Sequence, residues 1–196
     1  MAEMQADNKL NLLTVDELLA LQTEHRRVEI VDGKIVEMSP TGFEHNYNAR
    51  NILRILDRYV EDNNLGYVAH DSLIYVLHID PETKVRDSRI PDVSFFRKGK
   101  FSNFDFKKPI PGAPDLAVEV VSPSESDETT LSKLRSYFIY GTEQVWVVYP
   151  QAQTVYQYFA IDKVSIHTVD KTFTAETLFP GLTLTVANFF TVPDIG

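Results

Sequence analysis

The chain has 196 residues, of which 43% are hydrophobic, and a formal net charge of −9. A chain of that size predicts one compact α/β domain able to bury a core without staples. The lack of cysteine excludes disulfides, thiolate metal sites and cysteine nucleophiles, and no apolar run approaches the roughly 20 residues needed to span a bilayer. The first residues, Met1 to Asn11, are polar and lack the apolar core of a signal peptide, so a cytoplasmic protein without a membrane partner is expected. The expected layout is a flexible segment over 1–13, a single domain over 14–190 and a short tail over 191–196. An acidic balance argues against a strongly nucleic-acid-binding surface as a whole-chain average, but a local basic patch is compatible with it.

Taken in chain order, Thr14-Val-Asp-Glu17 has the form of a capping box and predicts a short helix from Val15 to about Gln22. Asp32-Gly33, set between alternating apolar residues of Val28 to Val36, predicts a hairpin. Ser39 to Gly42 breaks the chain before a long helix, roughly Glu44 to Asn63, with Ile52, Leu53, Leu56, Tyr59 and Val60 as its apolar stripe. Gly66 to Ile79 reads as one or two strands, Pro81 to Arg89 as a polar stretch, and Ile90 to Phe96 as a short strand. Arg97 to Pro114, rich in Lys, Phe, Pro and Gly, reads as a surface loop. Leu116-Ala-Val-Glu-Val-Val121 is nearly all apolar, as a strand buried on both faces should be. A helix is expected from Leu131 to Tyr140 with Gly141 at its C-cap, followed by strands over Glu143 to Tyr149 and Thr154 to Ala160 and a β-like remainder.

Glu119 is the most anomalous charge in the sequence. A carboxylate inside an apolar strand is costly unless paired or bound to a cation. It is either a strand-end residue that faces solvent or meets an arginine, or a ligand for a hard divalent cation. Asp92 follows Pro91, whose missing donor suits the first position of a strand, and it shares a strand face with Ser94 and Phe96. Asp115 competes with it, since period-two spacing places it on the face of Glu119.

The segments Ile90-Pro-Asp-Val-Ser-Phe95, Pro114-Asp-Leu-Ala-Val-Glu-Val-Val-Ser-Pro-Ser124, Lys133-Leu-Arg-Ser-Tyr137 and Gly141-Thr-Glu-Gln-Val-Trp-Val-Val148 resemble the Uma family of putative restriction endonucleases. That family is a branch of the PD-(D/E)XK nuclease superfamily, and the resemblance runs from about Thr14 to Phe190. It implies a restriction-endonuclease-like α/β (α+β) core: a mixed β-sheet flanked by helices, here with an N-terminal hairpin and extra C-terminal strands. It also implies a divalent cation held by Asp92 and Glu119. The usual lysine position, two beyond the second acid, is Val121 here, and the resemblance places the lysine at Lys133 on the following helix. Glu29 and His45 match recurrent family positions near the site. Two smaller departures are Thr129, near the place upstream of the lysine where relatives tend to carry an acidic residue, and Tyr149, in place of the aspartate often found before Pro150.

The residues taken alone leave these roles open. Lys133 flanks the stripe Leu131, Leu134 and Phe138, as a solvated helical lysine would, and Glu29 alternates with Val28 and Ile30 as an exposed hairpin residue would. His45 lies on the inward face of the long helix, as a core histidine, a helix-start residue or a site residue. Arg50, Arg54 and Arg58 recur every four residues on the opposite face, which reads first as a solvated row. Arg97, Lys98, Lys100, Lys107 and Lys108 interleave with Phe101, Phe104 and Phe106 in the loop after the Asp92 strand, a pattern able to grip a nucleic-acid backbone or simply to stay soluble.

The leading expectation is therefore a Mg²⁺-dependent endonuclease on DNA, with Mn²⁺ as substitute metal and no nucleotide cofactor. A homodimer is expected on general grounds, because twofold dimers are the commonest assembly and suit the cutting of two strands. The alternative is a non-catalytic nucleic-acid-binding or assembly domain that keeps the fold. A third reading is a carboxylate-metal phosphoesterase for small substrates.

Overall fold

The structure, a computed structural model, describes residues 12–23, 27–123 and 125–193. Most of the expected N-terminal segment, and 194–196 of the expected tail, lie outside the described residues. The capping box at Thr14 forms reciprocally: the Glu17 amide donates to Thr14 Oγ1 (3.2 Å) and the Thr14 amide to Glu17 Oε2 (2.7 Å). Helix α1 (Val15–Thr23) follows and buries Leu18. Strands β1 (Val28–Val31) and β2 (Lys34–Glu37) turn through Asp32 (φ 50°) and Gly33 (φ 75°), both in the left-handed region that a tight two-residue hairpin requires. Helix α2 (Phe43–Asp62) then buries Asn48, Ile52, Leu56 and Val60 along one stripe.

β3 (Gly66–His70) and β4 (Tyr75–Ile79) follow, and β5 (Val85–Arg89) occupies part of the stretch read only as polar. The sequence hid β5 because three of its five residues, Asp87, Ser88 and Arg89, are polar and yet buried. Each is matched by a specific partner. Tyr140 donates to Asp87 (2.8 Å), the Ile30 amide donates to Ser88 Oγ (2.9 Å), and Arg89 pairs with Glu29 (3.0 Å).

β6 (Val93–Arg97), the two-residue β7 (Ile110–Pro111) and β8 (Leu116–Val120) lead into α3 (Asp127–Ile139). This helix starts four residues earlier than expected because Ser126 caps it, accepting from the Thr129 amide (3.2 Å) ahead of Asp127 and Glu128 in the first turn. Gly141, at φ 96°, ends the helical run in the left-handed region. β9 (Gln144–Tyr149), β10 (Thr154–Ala160), β11 (Lys163–Thr168), β12 (Thr172–Thr174), β13 (Thr183–Thr185) and a short 3₁₀ turn complete the chain.

The strands form a five-stranded sheet ordered β2-β1-β5-β4-β7, a six-stranded sheet ordered β11-β10-β9-β8-β6-β3, and the small β12-β13 pair. Within the large sheet β8 and β9 are parallel, joined by α3 as the crossover that parallel strands need, while β6 lies antiparallel on the other side of β8. One face of that sheet buries Val93, Phe95, Val118, Trp146 and Val148 against α2 and the C-terminal aromatics Phe173, Phe179 and Phe189. The other face buries Ala117, Val145 and Val147 under Leu134 and Tyr137 of α3. Glu119 shares this second face with Ala117 and so points toward α3.

Candidate active site

The ladder between β6 and β8 pairs Val93 with Val118 and Ser94 with Ala117. Asp92 immediately precedes β6 and Glu119 immediately follows Val118, so the two acids lie at the same end of the paired strands. Both acids are buried, at 7% and 3% exposure. Asp92 Oδ2 accepts the Val120 amide (2.7 Å) and lies 3.2 Å from His45 Nε2, in the first turn of α2. Glu119 accepts one donor on each oxygen: Tyr137 Oη at 2.6 Å on Oε1 and Lys133 Nζ at 2.8 Å on Oε2. Lys133 also meets Glu125 at 3.0 Å.

Glu29 approaches from β1, in the smaller sheet. Its Oε2 pairs with Arg89 Nη1 (3.0 Å) and its Oε1 accepts the Ile90 amide (2.9 Å), two residues ahead of Asp92. Arg89 also donates to Ser136 (2.8 Å) and Ser132 (3.3 Å) of α3. The Glu29–Arg89 pair thus ties together β1, the segment carrying Asp92, and the helix carrying Lys133 and Tyr137.

Charge is out of balance here. Glu29, Asp92, Glu119 and Glu125 stand against two permanent cations, Arg89 and Lys133, with His45 as a third positive charge when protonated. Burial pushes the Glu119 carboxyl up to about 7, and Asp92 and Glu29 push the same way, against the pull of Lys133. Burial draws Lys133 down, but Glu119, Glu29 and Glu125 together outweigh it and hold the ammonium well above its ordinary value. For His45 burial again acts downward, and the hydrogen bond and charge of Asp92, with Glu119 behind it, raise it overall.

The structure therefore brings five sequence candidates, Asp92, Glu119, Lys133, Glu29 and His45, to one end of the central strands. Lys133 is 13% exposed and Glu29 only 4% at the side chain, so neither is the solvated residue that periodicity alone suggests. The competing Asp115 sits at the opposite end of β8, about 13 Å along the strand from Glu119. There it accepts the Arg97 amide (2.7 Å), Arg97 Nη1 (3.0 Å) and Lys100 Nζ (2.9 Å).

The basic loop is likewise not brought to the site, because β6 carries the chain about 16 Å from Asp92 to Arg97. Arg97 is bound to Asp115 and Glu143, Lys100 to Asp115, Lys98 to Asn64 and Lys108 to Asp16, while Lys107 is exposed. Three site residues escaped the sequence reading: Tyr137, Glu125 and Arg89. Tyr137 was within reach of it, lying four residues beyond Lys133 on one helical face. Arg89 gave no such signal, being one more charge in a polar stretch.

Two clefts meet at His45 and Asp92. One of about 250 Å³ is lined by Glu29, Met38, Glu125, Thr129 and Lys133. The other, about 280 Å³, lies on the far side between α2 and the β3–β4 turn. Among the described residues no three His, Asp or Glu side chains close around a single point as a ready-made metal cage. Two adjacent carboxylates still suit Mg²⁺, which keeps several waters and is commonly held by one or two carboxylates with substrate phosphate completing the shell. Each Glu119 oxygen retains a lone pair beyond the one used by Tyr137 or Lys133.

A mixed sheet between helices, with two acids and a lysine at one end of its central strands, defines a nuclease-like fold. The family model described as "Putative restriction endonuclease" (Uma2) matches residues 15–187, and the chain belongs to that family. Among solved structures the fold is similar to that of a protein described as a putative nuclease belonging to DUF820 from Anabaena variabilis. The two share 20% identity with a TM-score of 0.75, over 91% of this chain and 97% of that one. No curated protein matches the chain. No described helix is long and apolar enough to cross a membrane.

Proposed function

We propose that the protein is a Mg²⁺-dependent endonuclease that hydrolyses phosphodiester bonds in DNA, with Asp92, Glu119 and Lys133 as its working centre. The observation that carries this reading is two buried carboxylates, Asp92 and Glu119, at the same end of the paired strands β6 and β8 in a site with more acids than cations. A divalent cation removes that excess. Asp92 and Glu119 would hold Mg²⁺, which when bound would supply Lewis acidity toward water and the phosphate. The protein's own groups do the rest. His45 and the Val120 amide fix the Asp92 carboxylate, and Tyr137 fixes that of Glu119. The Lys133 ammonium, held at the cleft wall, orients the attacking water and stabilises charge gathering on the phosphate. Water adds to phosphorus, a P–O ester bond breaks, and a phosphate end and a hydroxyl end result. Glu29, ion-paired with buried Arg89 and bonded to the Ile90 amide ahead of Asp92, acts by positioning the others. Two such centres in a homodimer would serve the two strands of a duplex, and a cysteine-free chain suits the cytoplasm.

One observation favours the alternative of a non-catalytic domain: both Glu119 oxygens are already engaged by Lys133 and Tyr137, a closed arrangement that stabilises the fold without metal. Nicking of supercoiled plasmid separates the two. The nuclease reading expects cleavage that needs Mg²⁺ or Mn²⁺ and falls by about 10²–10³-fold in Lys133→Ala, with Glu119→Gln at least as impaired. No metal-dependent cleavage by the wild-type chain would leave the non-catalytic reading standing.

A further inference from the structure

The cleft on the α2 side of Asp92 differs in chemistry from the one that holds Lys133. Its floor is apolar, formed by Ala49 and Leu53, and its rim is Asn46, Arg50 and His70, with Asp71 beside His70. Arg50 lies on an exposed turn of α2 and forms no ion pair with any described residue. His70 is 63% exposed and its Nδ1 meets Asp71 Oδ1 at 3.1 Å, which leaves Nε2 as the ring's other nitrogen, a donor to phosphate when both ring nitrogens carry protons. The turn that carries both is pinned: Arg27 bonds the Asp71 carboxylate (3.3 Å) and its carbonyl oxygen (2.6 Å). The opposite cleft holds Lys133 together with Glu29 and Glu125, which are ion-paired with Arg89 and Lys133. A phosphodiester chain reaching Asp92 from the α2 side thus meets a rim with Arg50 and His70 over an apolar floor.

We infer that this α2-side cleft seats the nucleotide next to the scissile phosphate of a DNA strand, with Arg50 and His70 holding its phosphate and Ala49 and Leu53 receiving its sugar or base. The inference rests on the nuclease reading for its substrate and names where that substrate lies. It moves the DNA contact from the loop at 97–108, where most of the cations are internally paired, to α2. Of the arginines at 50, 54 and 58, it selects Arg50 alone: Arg54 and Arg58 line a different groove that also holds Asp57, Glu61 and Asp62.

The test is binding of a fluorescein-labelled DNA duplex to the full chain in EDTA, followed by anisotropy across a range of salt concentrations, so that no cleavage or metal enters the measurement. Arg50→Gln and His70→Gln should each weaken binding by about 5–10-fold. Arg50→Gln should also reduce the slope of log K against log salt by about one contact, while Arg50→Lys keeps that slope. Lys107→Ala and Lys108→Ala should bind as the wild type does. Undiminished affinity and slope in Arg50→Gln, or no DNA binding by the wild type, would overturn the inference. Normal binding effects alongside an absence of metal-dependent nicking would instead overturn the nuclease reading and leave the cleft assignment intact.

Discussion

The two ends of β8 each bury a carboxylate, and they do so in opposite ways. At the entry, Asp115 meets a backbone amide, a guanidinium and an ammonium, so its charge is matched within the fold. At the exit, Glu119 feels the charges of Asp92 and Glu29, and one lysine is shared between Glu119 and Glu125. Burial alone does not mark a functional acid. The charge left over after the fold has paired its own groups does, because only that excess gives an external cation something to bind.

Substitution sharpens this contrast most. Asp115→Asn leaves Arg97 and Lys100 without their shared partner and should destabilise the fold by about 2 kcal/mol. That is less than for a fully buried pair, since Arg97 is 37% exposed. It should leave Mn²⁺ affinity unchanged. Glu119→Gln should do the reverse, abolishing measurable Mn²⁺ binding in calorimetry while chemical denaturation detects a smaller loss. Equal metal affinity in the two variants would break the comparison.

A finer effect lies in pH. The Glu119 carboxyl is raised from 4.5 to about 7 in the folded chain, so between those values the unfolded state has released a proton that the native state keeps. Stability contributed by protonated Glu119 is therefore full below about pH 4.5 and is lost as pH rises toward 7. Raised His45 acts in the same direction, stabilising below its ordinary 6.5 and losing that contribution as pH climbs past its folded value. Glu119→Gln removes the first contribution and reduces the second, since Glu119 helps to raise His45. In EDTA, the Tm of Glu119→Gln relative to wild type should therefore rise between about pH 5 and about pH 8. A flat or falling difference would show that Lys133 keeps Glu119 ionised throughout.

Much of the fold was readable because its signals are local. The Thr14 capping box, the Asp32-Gly33 turn and the α2 stripe each sit within a few residues and fold as their chemistry dictates. Glu119 was readable for the same reason, as a charge among valines. What stayed hidden depends on contacts distant in sequence. β5 looks like a solvated connection until Glu29 and Tyr140 are set beside Arg89 and Asp87, 60 and 53 residues away in sequence. Glu29 alternates with Val28 and Ile30 as though facing water, yet β1 is an inner strand of its sheet and Arg89 meets Glu29 on that face. The basic loop misled because chain adjacency to Asp92 runs along an extended strand, which separates neighbours in sequence faster than any other conformation. Asp92 took its place only through register and through the family resemblance.

The most direct measurement is a crystal soaked in Mn²⁺, with anomalous density sought between the Asp92 and Glu119 carboxylates. A peak within coordination distance of both, about 2.0–2.3 Å and absent in Glu119→Gln crystals, is the result expected of a hard cation held by carboxylates. An empty site at saturating Mn²⁺, with Lys133 and Tyr137 still closed on Glu119, would contradict the account and mark the cluster as part of the fold alone.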